Sequence, residues 1–184
     1  EAMSGEPRQS KIDKVHNDEQ VINHLEPMIT EYLVKISHLA ITEKEMKVVN
    51  NLFDSITDIE RSGDHVENMA GYLQHIKDMK ENISEDAAYE LRNMNNLVKS
   101  AFESAIRAIE FDDTKEAKET LSYAADVYYT RKTIRKRHIQ RMKDGECSPD
   151  VGVYFLDIIS SMERIAGYAF TIARYILNQN DEEE

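Results

Sequence analysis

The chain of 184 residues reads as an all-α protein, two antiparallel three-helix units in tandem with the first unit lacking its opening helix, so five long helices in total. Three observations predict this. Six glycines and three prolines are too few for the turns of a sandwich or barrel. Apolar residues recur at intervals of three, four and seven between capping signals. An offset of 103 residues lays Asp54, Ile56, Glu60, Arg61, Ala70 and Tyr72 on Asp157, Ile159, Glu163, Arg164, Ala173 and Tyr175, an internal repeat that chance periodicity does not require of the polar positions.

Residues 1–6 form a polar leader, and Pro7 suits the first position of a helix. Ile12, Val15, Ile22, Leu25, Ile29, Leu33 and Ile36 then mark a long helix from Pro7 to Ser37, in which Pro27 predicts a kink near Asn23. Thr42 with Glu45 is a capping box, and Ile41 with Met46 its hydrophobic staple. Helix two follows from Glu43 to Met79, with heptad rows Val49, Ile56, Gly63, Ala70 and Leu52, Ile59, Val66, Leu73. The rows place Gly63, and its repeat partner Ala166, at close helix contacts.

Ser84 caps helix three, which buries Leu91, Met94, Val98, Ala101, Phe102, Ala105 and Ile109. Asp113 with Glu116 predicts a second capping box at the start of helix four, which ends near Lys143 with Gly145 just beyond. Ser148, Pro149 and Asp150 read as cap, first residue and acidic first turn of helix five. That helix is apolar along three rows, a stripe wide enough for a helix with partners on several sides. The first unit thus spans residues 7–80 and the second 84–177, and the acidic segment 178–184 is expected to be disordered. An absent opening helix predicts an apolar groove on helices one and two, filled by a second subunit or by an upstream segment.

Composition narrows the function. With 41% apolar and 32% charged residues the chain is too hydrophobic for disorder, and its most apolar run, Val151 to Ile159, is broken by Asp157 and too short to span a membrane. Cys147, the single cysteine, cannot form an internal disulfide and reads as a loop spacer whose place before a helix start favours some thiol acidity. The net charge of −12 and the lack of interleaved aromatics in the basic segment argue against nucleic acid. None of the six histidines has a Glu three residues before it, and no metalloprotease, phosphate-loop or nucleophile-elbow motif occurs, so no enzymatic activity is expected.

Two features carry chemistry. Glu60 and Asp64 project from one helix face with Glu67 a turn further on, a spacing of oxygen donors that suits Mg, Mn or Fe. The bland alternative pairs Glu60 with Arg61 or a neighbouring helix and leaves Asp64 solvated. Arg131, Lys132, Arg135, Lys136, Arg137, Arg141 and Lys143 crowd the end of helix four, which fits either a solvated helix terminus or a patch for anionic lipid, phosphate or an acidic partner. Tyr123, Tyr128 and Tyr129 are expected at helix interfaces.

The segment Asp58-Ile59-Glu60-Arg61-Ser62-Gly63-Asp64-His65-Val66-Glu67-Asn68-Met69-Ala70 resembles the Glu-Arg-Ile-Gly-Asp-His signature of PhoU domains, whose fold is a tandem pair of three-helix bundles. The stretch Arg135–Met142, the loop Gly145-Glu146-Cys147-Ser148-Pro149, and Phe155-Leu156-Asp157 through Glu163-Arg164-Ile165 are similar to the carboxy-terminal PhoU-like domain of bacterial sodium/phosphate cotransporter proteins. The resemblance covers residues 10–177, and a start at Glu1 without the first helix fits a domain cut from a membrane transporter. It implies a cytoplasmic regulatory domain at the inner face of the membrane that tunes phosphate uptake through a transporter domain of the same or another chain. A stand-alone PhoU-type phosphate-signalling regulator, or a purely structural dimerisation bundle, are the alternatives, and a homodimer is expected.

The resemblance also implies a divalent metal or iron in the first repeat, held by Glu60 and Asp64 with Glu19 from helix one. In the second repeat Gly167 and Tyr168 stand where the motif has Asp and His, leaving Glu163 alone, and Asn23 and Tyr128 occupy positions where Asp is expected. His65 is assigned a structural hydrogen bond.

Overall fold

A computed structural model describes residues 8–180. Five helices follow one another, α1 (Arg8–Ser37), α2 (Glu43–Asp78), α3 (Glu85–Phe111), α4 (Thr114–Lys143) and α5 (Pro149–Asn180), with no strand among the described residues. The leader with Pro7 and the end of the acidic tail lie outside them. Asn178 to Asn180 are helical rather than disordered, because α5 continues to Asn180 and the Lys47 ammonium donates to the Asn178 carbonyl at 3.5 Å. α1 continues through Pro27 as one helix.

Local chemistry sets the boundaries. The Thr42 hydroxyl accepts the Glu45 N–H at 3.2 Å, and the Glu45 carboxylate accepts the Thr42 N–H at 2.7 Å, which closes the predicted box and holds the Glu45 carboxyl below its ordinary pKa. Asp113 caps α4 by accepting from Lys115 N–H and Glu116 N–H at 2.8 and 3.2 Å. Its second half-box does not form. The Asp113 N–H is already bonded to the Ala108 carbonyl, and the Glu116 carboxylate turns to Arg107 at 2.9 Å instead. After α4 the backbone reverses at Gly145, where φ of +74° suits glycine, and the Glu146 N–H returns to the Arg141 carbonyl at 2.9 Å.

α5 is the axis of the molecule, packed against α2, α3 and α4. Phe155, Ile158, Ile159 and Ile172 are fully buried along it, each stabilising the fold by about 1.5–3 kcal/mol. Ala169 and Ile172 meet Ala101 and Ala105 of α3, and small side chains there let the two backbones approach. α1, by contrast, packs on α2 alone. Its expected buried stripe is therefore only partly buried: Leu33 is covered, whereas Leu25 and Ile29 stay 44% and 41% exposed for want of a second neighbour.

The repeat explains the open side. Met162, Ile165, Ala169 and Ile172 of α5 face α3, and their repeat partners Ile59, Ser62, Val66 and Met69 on α2 line a groove of about 390 Å³ between α1 and α3. The groove lies where an opening helix of the first unit would sit. Close contact at Gly63 is as expected: a Cβ there would stand 3.2 Å from Ile22 Cδ1 of α1. Ala166, its counterpart, is 1% exposed in the core.

His138 sits in the same core, 1% exposed and stacked on Phe155 with ring centroids 3.9 Å apart. Its Nδ1 has no partner, and a Cβ at the neighbouring Gly152 would overlap the Met142 sulfur, so a larger residue there forces the Met142 side chain to shift. Burial, then the Arg141 charge, pushes the His138 pKa below its ordinary value. Two outcomes follow from this packing. Gly63→Val should lower stability by about 1–3 kcal/mol through crowding against Ile22, whereas Gly167→Ala, in open space on α5, should raise it by up to about 1 kcal/mol. Thermal unfolding of both variants checks the pair. Because the folded state favours neutral His138, its contribution is present above the unfolded histidine pKa of about 6.5 and is lost as pH falls below it. The unfolding midpoint should therefore drop between about pH 7 and pH 5, with a shallower slope in His138→Leu.

Candidate functional site

Where α1 crosses α2, acidic side chains from both helices form a seam. Burial raises the Glu60 pKa, and Asp64, Glu26 and Glu19 raise it further, offset in part by Arg61. Glu60 therefore sits in a local excess of negative charge. Glu19 is 6% exposed, and Asn23, placed where Asp was expected, donates its amide to the Glu19 carboxylate. Among the described residues, one set of three His, Cys, Asp or Glu side chains brings a donor atom from each within 4.8 Å of the others: His16, Glu19 and Glu67. Glu60 and Asp64 lie outside that set, two turns and one turn before Glu67 on α2. Sequence reasoning passed over His16. The available signal was the order His16-x-x-Glu19, which puts both side chains on one face of α1 and which a Glu-x-x-His pattern does not match.

The second repeat offers no equivalent seam. Glu163 is taken by Arg131, with Nε 2.7 Å from its carboxylate, and Gly167 faces open space. Tyr168 stacks on His65 with centroids 6.0 Å apart, so His65 is held by a ring contact. Burial, then Arg164, lowers the His65 pKa.

The seven basic residues of α4 divide into two groups. Arg131 pairs with Glu163, while Arg137 and Arg141 both reach Glu90 of α3, at 3.3 and 2.6 Å. These three tie α4 to its neighbours. Lys132, Arg135, Lys136 and Lys143 are exposed, and no carboxylate pairs with them among the described residues. Their spacing sets them on one face of the helix, where they share a shallow depression with Ile139 and Gln140. Lys132 Nζ lies 4.2 Å from the centre of the Tyr128 ring, and Tyr129 meets Tyr128 edge-on. The expectation that Tyr128 and Tyr129 pack at helix interfaces is corrected here: they are 43% and 65% exposed on the outer side of α4, where no helix beyond α3 and α5 packs among the described residues. Tyr123 does pack, against the Ala101 and Ala169 cluster.

Cys147 sits beside His138, with Sγ 4.0 Å from Nε2. Burial and the Glu81 charge push its thiol pKa up, the opposite of the acidity expected before a helix start. It remains a spacer in the loop into α5.

The Glu90 cluster is structural and testable as such. Glu90 is 9% exposed, and the Arg141 side chain is 12% exposed, so Glu90→Ala strands a guanidinium in the interior and should cost about 3 kcal/mol. Arg137 is 64% exposed, and Arg137→Ala should cost less than about 1 kcal/mol. Urea unfolding of the two variants distinguishes these magnitudes.

Comparison with known proteins places the chain. A family model described as PhoU domain matches residues 3–73 and 91–176, one copy in each half of the repeat. Proteins named phosphate-specific transport system accessory protein PhoU homolog, from two strains of Streptococcus pneumoniae, are 30% identical over 138 residues, covering 72% of this chain. The chain spans 60% of the length of these curated relatives. The crystal structure of PhoU from Pseudomonas aeruginosa superposes with a TM-score of 0.87 at 20% identity, covering 93% of this chain and 81% of that one. That of the phosphate transport system regulatory protein PhoU from Streptococcus pneumoniae gives 0.81 at 22% identity, covering 93% and 79%. These two likenesses show the fold, a helical bundle of the PhoU kind. With both halves of the sequence matched by the same family model, this chain belongs to the PhoU domain family.

Proposed function

We propose that the chain is a non-catalytic regulator of phosphate transport that docks through the exposed basic face of α4. Membership of the PhoU family and relatives named as accessory proteins of a phosphate-specific transport system support the regulatory reading. The observation that carries the docking surface is the division of the α4 cations: three are tied into the fold, and Lys132, Arg135, Lys136 and Lys143 are left to solvent on one face. A chain of net charge −12 does not concentrate unpaired cations by composition alone. The stand-alone accessory regulator is favoured over the sodium/phosphate cotransporter domain, since the relatives found are accessory proteins.

In this reading the protein acts in the cytoplasm at the inner face of the membrane, and no helix among its described residues is long and apolar enough to cross that membrane. Its partner is an acidic cytoplasmic surface of a membrane transporter, with the anionic leaflet beside it. Each basic residue near an anionic lipid surface contributes about 1 kcal/mol, so four acting together give a useful bias within the Debye length of about 8 Å. The overall negative charge opposes every orientation except the one presenting α4.

Reversing the four charges (K132E, R135E, K136E, K143E) should leave the unfolding midpoint nearly unchanged, because none of them pairs with a carboxylate among the described residues and the Lys132 contact with Tyr128 is exposed. Phosphate uptake by cells carrying this variant should lose its response to external phosphate, and co-purification with the transporter should fall. Uptake that responds as in the wild type would sink the docking surface and favour the structural bundle.

A further inference from the structure

The later half of α4 turns a surface without acids outward. From Tyr129 through Lys143 the sequence holds no Asp or Glu, in a chain where those two types make up 35 of 184 residues. Two adjoining rows run along this part of the helix. Ala125, Tyr129, Lys132, Lys136 and Lys143 follow one another at steps of four, three or seven and are all exposed, and Tyr128, Lys132, Arg135 and Ile139 follow at steps of four and three. Two shallow depressions lie among these side chains, and no carboxylate lines either of them.

Each row mixes cations with a tyrosine. Tyr128 and Tyr129 are both exposed, with ring centroids 5.5 Å apart, and Lys132 Nζ stands 4.2 Å from the centre of the Tyr128 ring, so ammonium and rings share the outer surface. Two neighbouring rings in water leave apolar area unburied. A tyrosine has an apolar body and a polar tip, which suits the boundary between lipid headgroups and acyl chains, where this residue type is enriched. Lysine and arginine lay their methylene stems on apolar surface and keep the charge among the phosphates. Basic and aromatic residues gathered on one face are the pattern of a helix that lies in the plane of a membrane interface.

Charge and shape together favour a bilayer over an acidic protein surface. Carboxylates on a protein would answer the cations but would offer the rings no apolar layer. The two rows form a ridge with shallow depressions and no deep cleft, about 21 Å long from Tyr129 to Lys143. A sheet of phosphates meets such a ridge along its whole length without a fixed register. With a net charge of −12, the rest of the molecule is repelled by the same sheet, which leaves this side as the one that approaches.

We propose that this face of α4 binds the surface of an anionic bilayer directly, with Lys132, Arg135, Lys136 and Lys143 on lipid phosphates and the rings of Tyr128 and Tyr129 within the headgroup layer. Lipid contact rests on the reading of α4 as a docking face and specifies what that face touches first; the transporter is approached from there. The helix keeps its packing on α3 and α5, because the side chains concerned are already exposed.

Co-sedimentation of the full chain with vesicles of phosphatidylcholine containing about one third phosphatidylglycerol tests this, with pure phosphatidylcholine as the control. Binding is expected to the anionic vesicles alone and should weaken as salt is added. Lys132→Ala, Arg135→Ala, Lys136→Ala and Lys143→Ala should each weaken it about fivefold. Tyr128→Ser/Tyr129→Ser should weaken it about tenfold, whereas Tyr128→Phe/Tyr129→Phe should keep it, since the ring and not the hydroxyl enters the apolar layer. The chain has no tryptophan, so Tyr129→Trp supplies a single reporter. Its emission should move to shorter wavelength on anionic vesicles and be quenched by lipids brominated in the upper acyl chain. Thermal unfolding confirms that each variant is folded. No binding to anionic vesicles, wild-type binding in the double serine variant, or an unshifted tryptophan would each overturn lipid contact. The docking reading fails separately. If vesicles are not bound but the variant with four reversed charges still loses the transporter, the face docks on protein and lipid contact falls. If that variant loses the vesicles yet regulates uptake as the wild type does, the docking reading falls and lipid contact stands.

Discussion

The burial of α5 is the constraint on which everything else rests. A helix enclosed by α2, α3 and α4 must be apolar around most of its circumference, and where α3 comes closest only alanine-sized side chains fit. Phe155, Ile158, Ile159 and Ile172 fill the wider gaps, and Ala166, Ala169 and Ala173 the narrow ones. Once α5 is fixed, the loop before it is fixed too. A side chain at Gly152 would displace Met142 from the space beside it, and Gly145 turns the chain with φ of +74° ahead of the helix.

The two halves of the repeat diverge in what this axis demands of them. In the second half, α3 closes the triangle, and the acid at the motif position, Glu163, is consumed by Arg131 in holding α4 to α5. Among the described residues no helix occupies the corresponding place in the first half, α1 packs on α2 alone, and Glu19, Glu26 and Asp64 lie near Glu60. The acid at the motif position thus serves cohesion on one side and stands in an acidic cluster on the other.

Much of this was legible in the sequence. Helix boundaries came from chemistry that acts within one turn, as at Thr42 with Glu45 and at Ser148 with Pro149, and such signals survive any tertiary arrangement. Gly63 was placed correctly because the heptad repeat states which face is inward. What could not be read depends on partners distant in sequence. Glu116 left its expected capping role because Arg107 lies within reach on the preceding helix. Leu25 and Ile29 follow a faultless apolar period yet remain half exposed, since periodicity says which face is apolar and not whether anything covers it. At the acidic seam the motif residues Glu60 and Asp64 were visible as a pattern. Convergence of His16 on Glu67 across 51 positions of sequence was not.

Charge arrangement then sets how such a molecule can act. A protein with net charge −12 is repelled by anionic membranes and by most acidic surfaces, so any attraction must come from an oriented face within about a Debye length. The α4 face meets this condition because its inward arginines are neutralised by Glu90 and Glu163, so the outward cations are not diluted by acids on their own surface. The acidic seam lies on α1 and α2, helices that make no packing contact with α4, so the two charged regions keep opposite signs without cancelling. An anionic surface is therefore attracted to the α4 face and repelled by the seam. Coupling between the two would have to pass through α2 onto α5, from which α4 is reached directly or by way of α3.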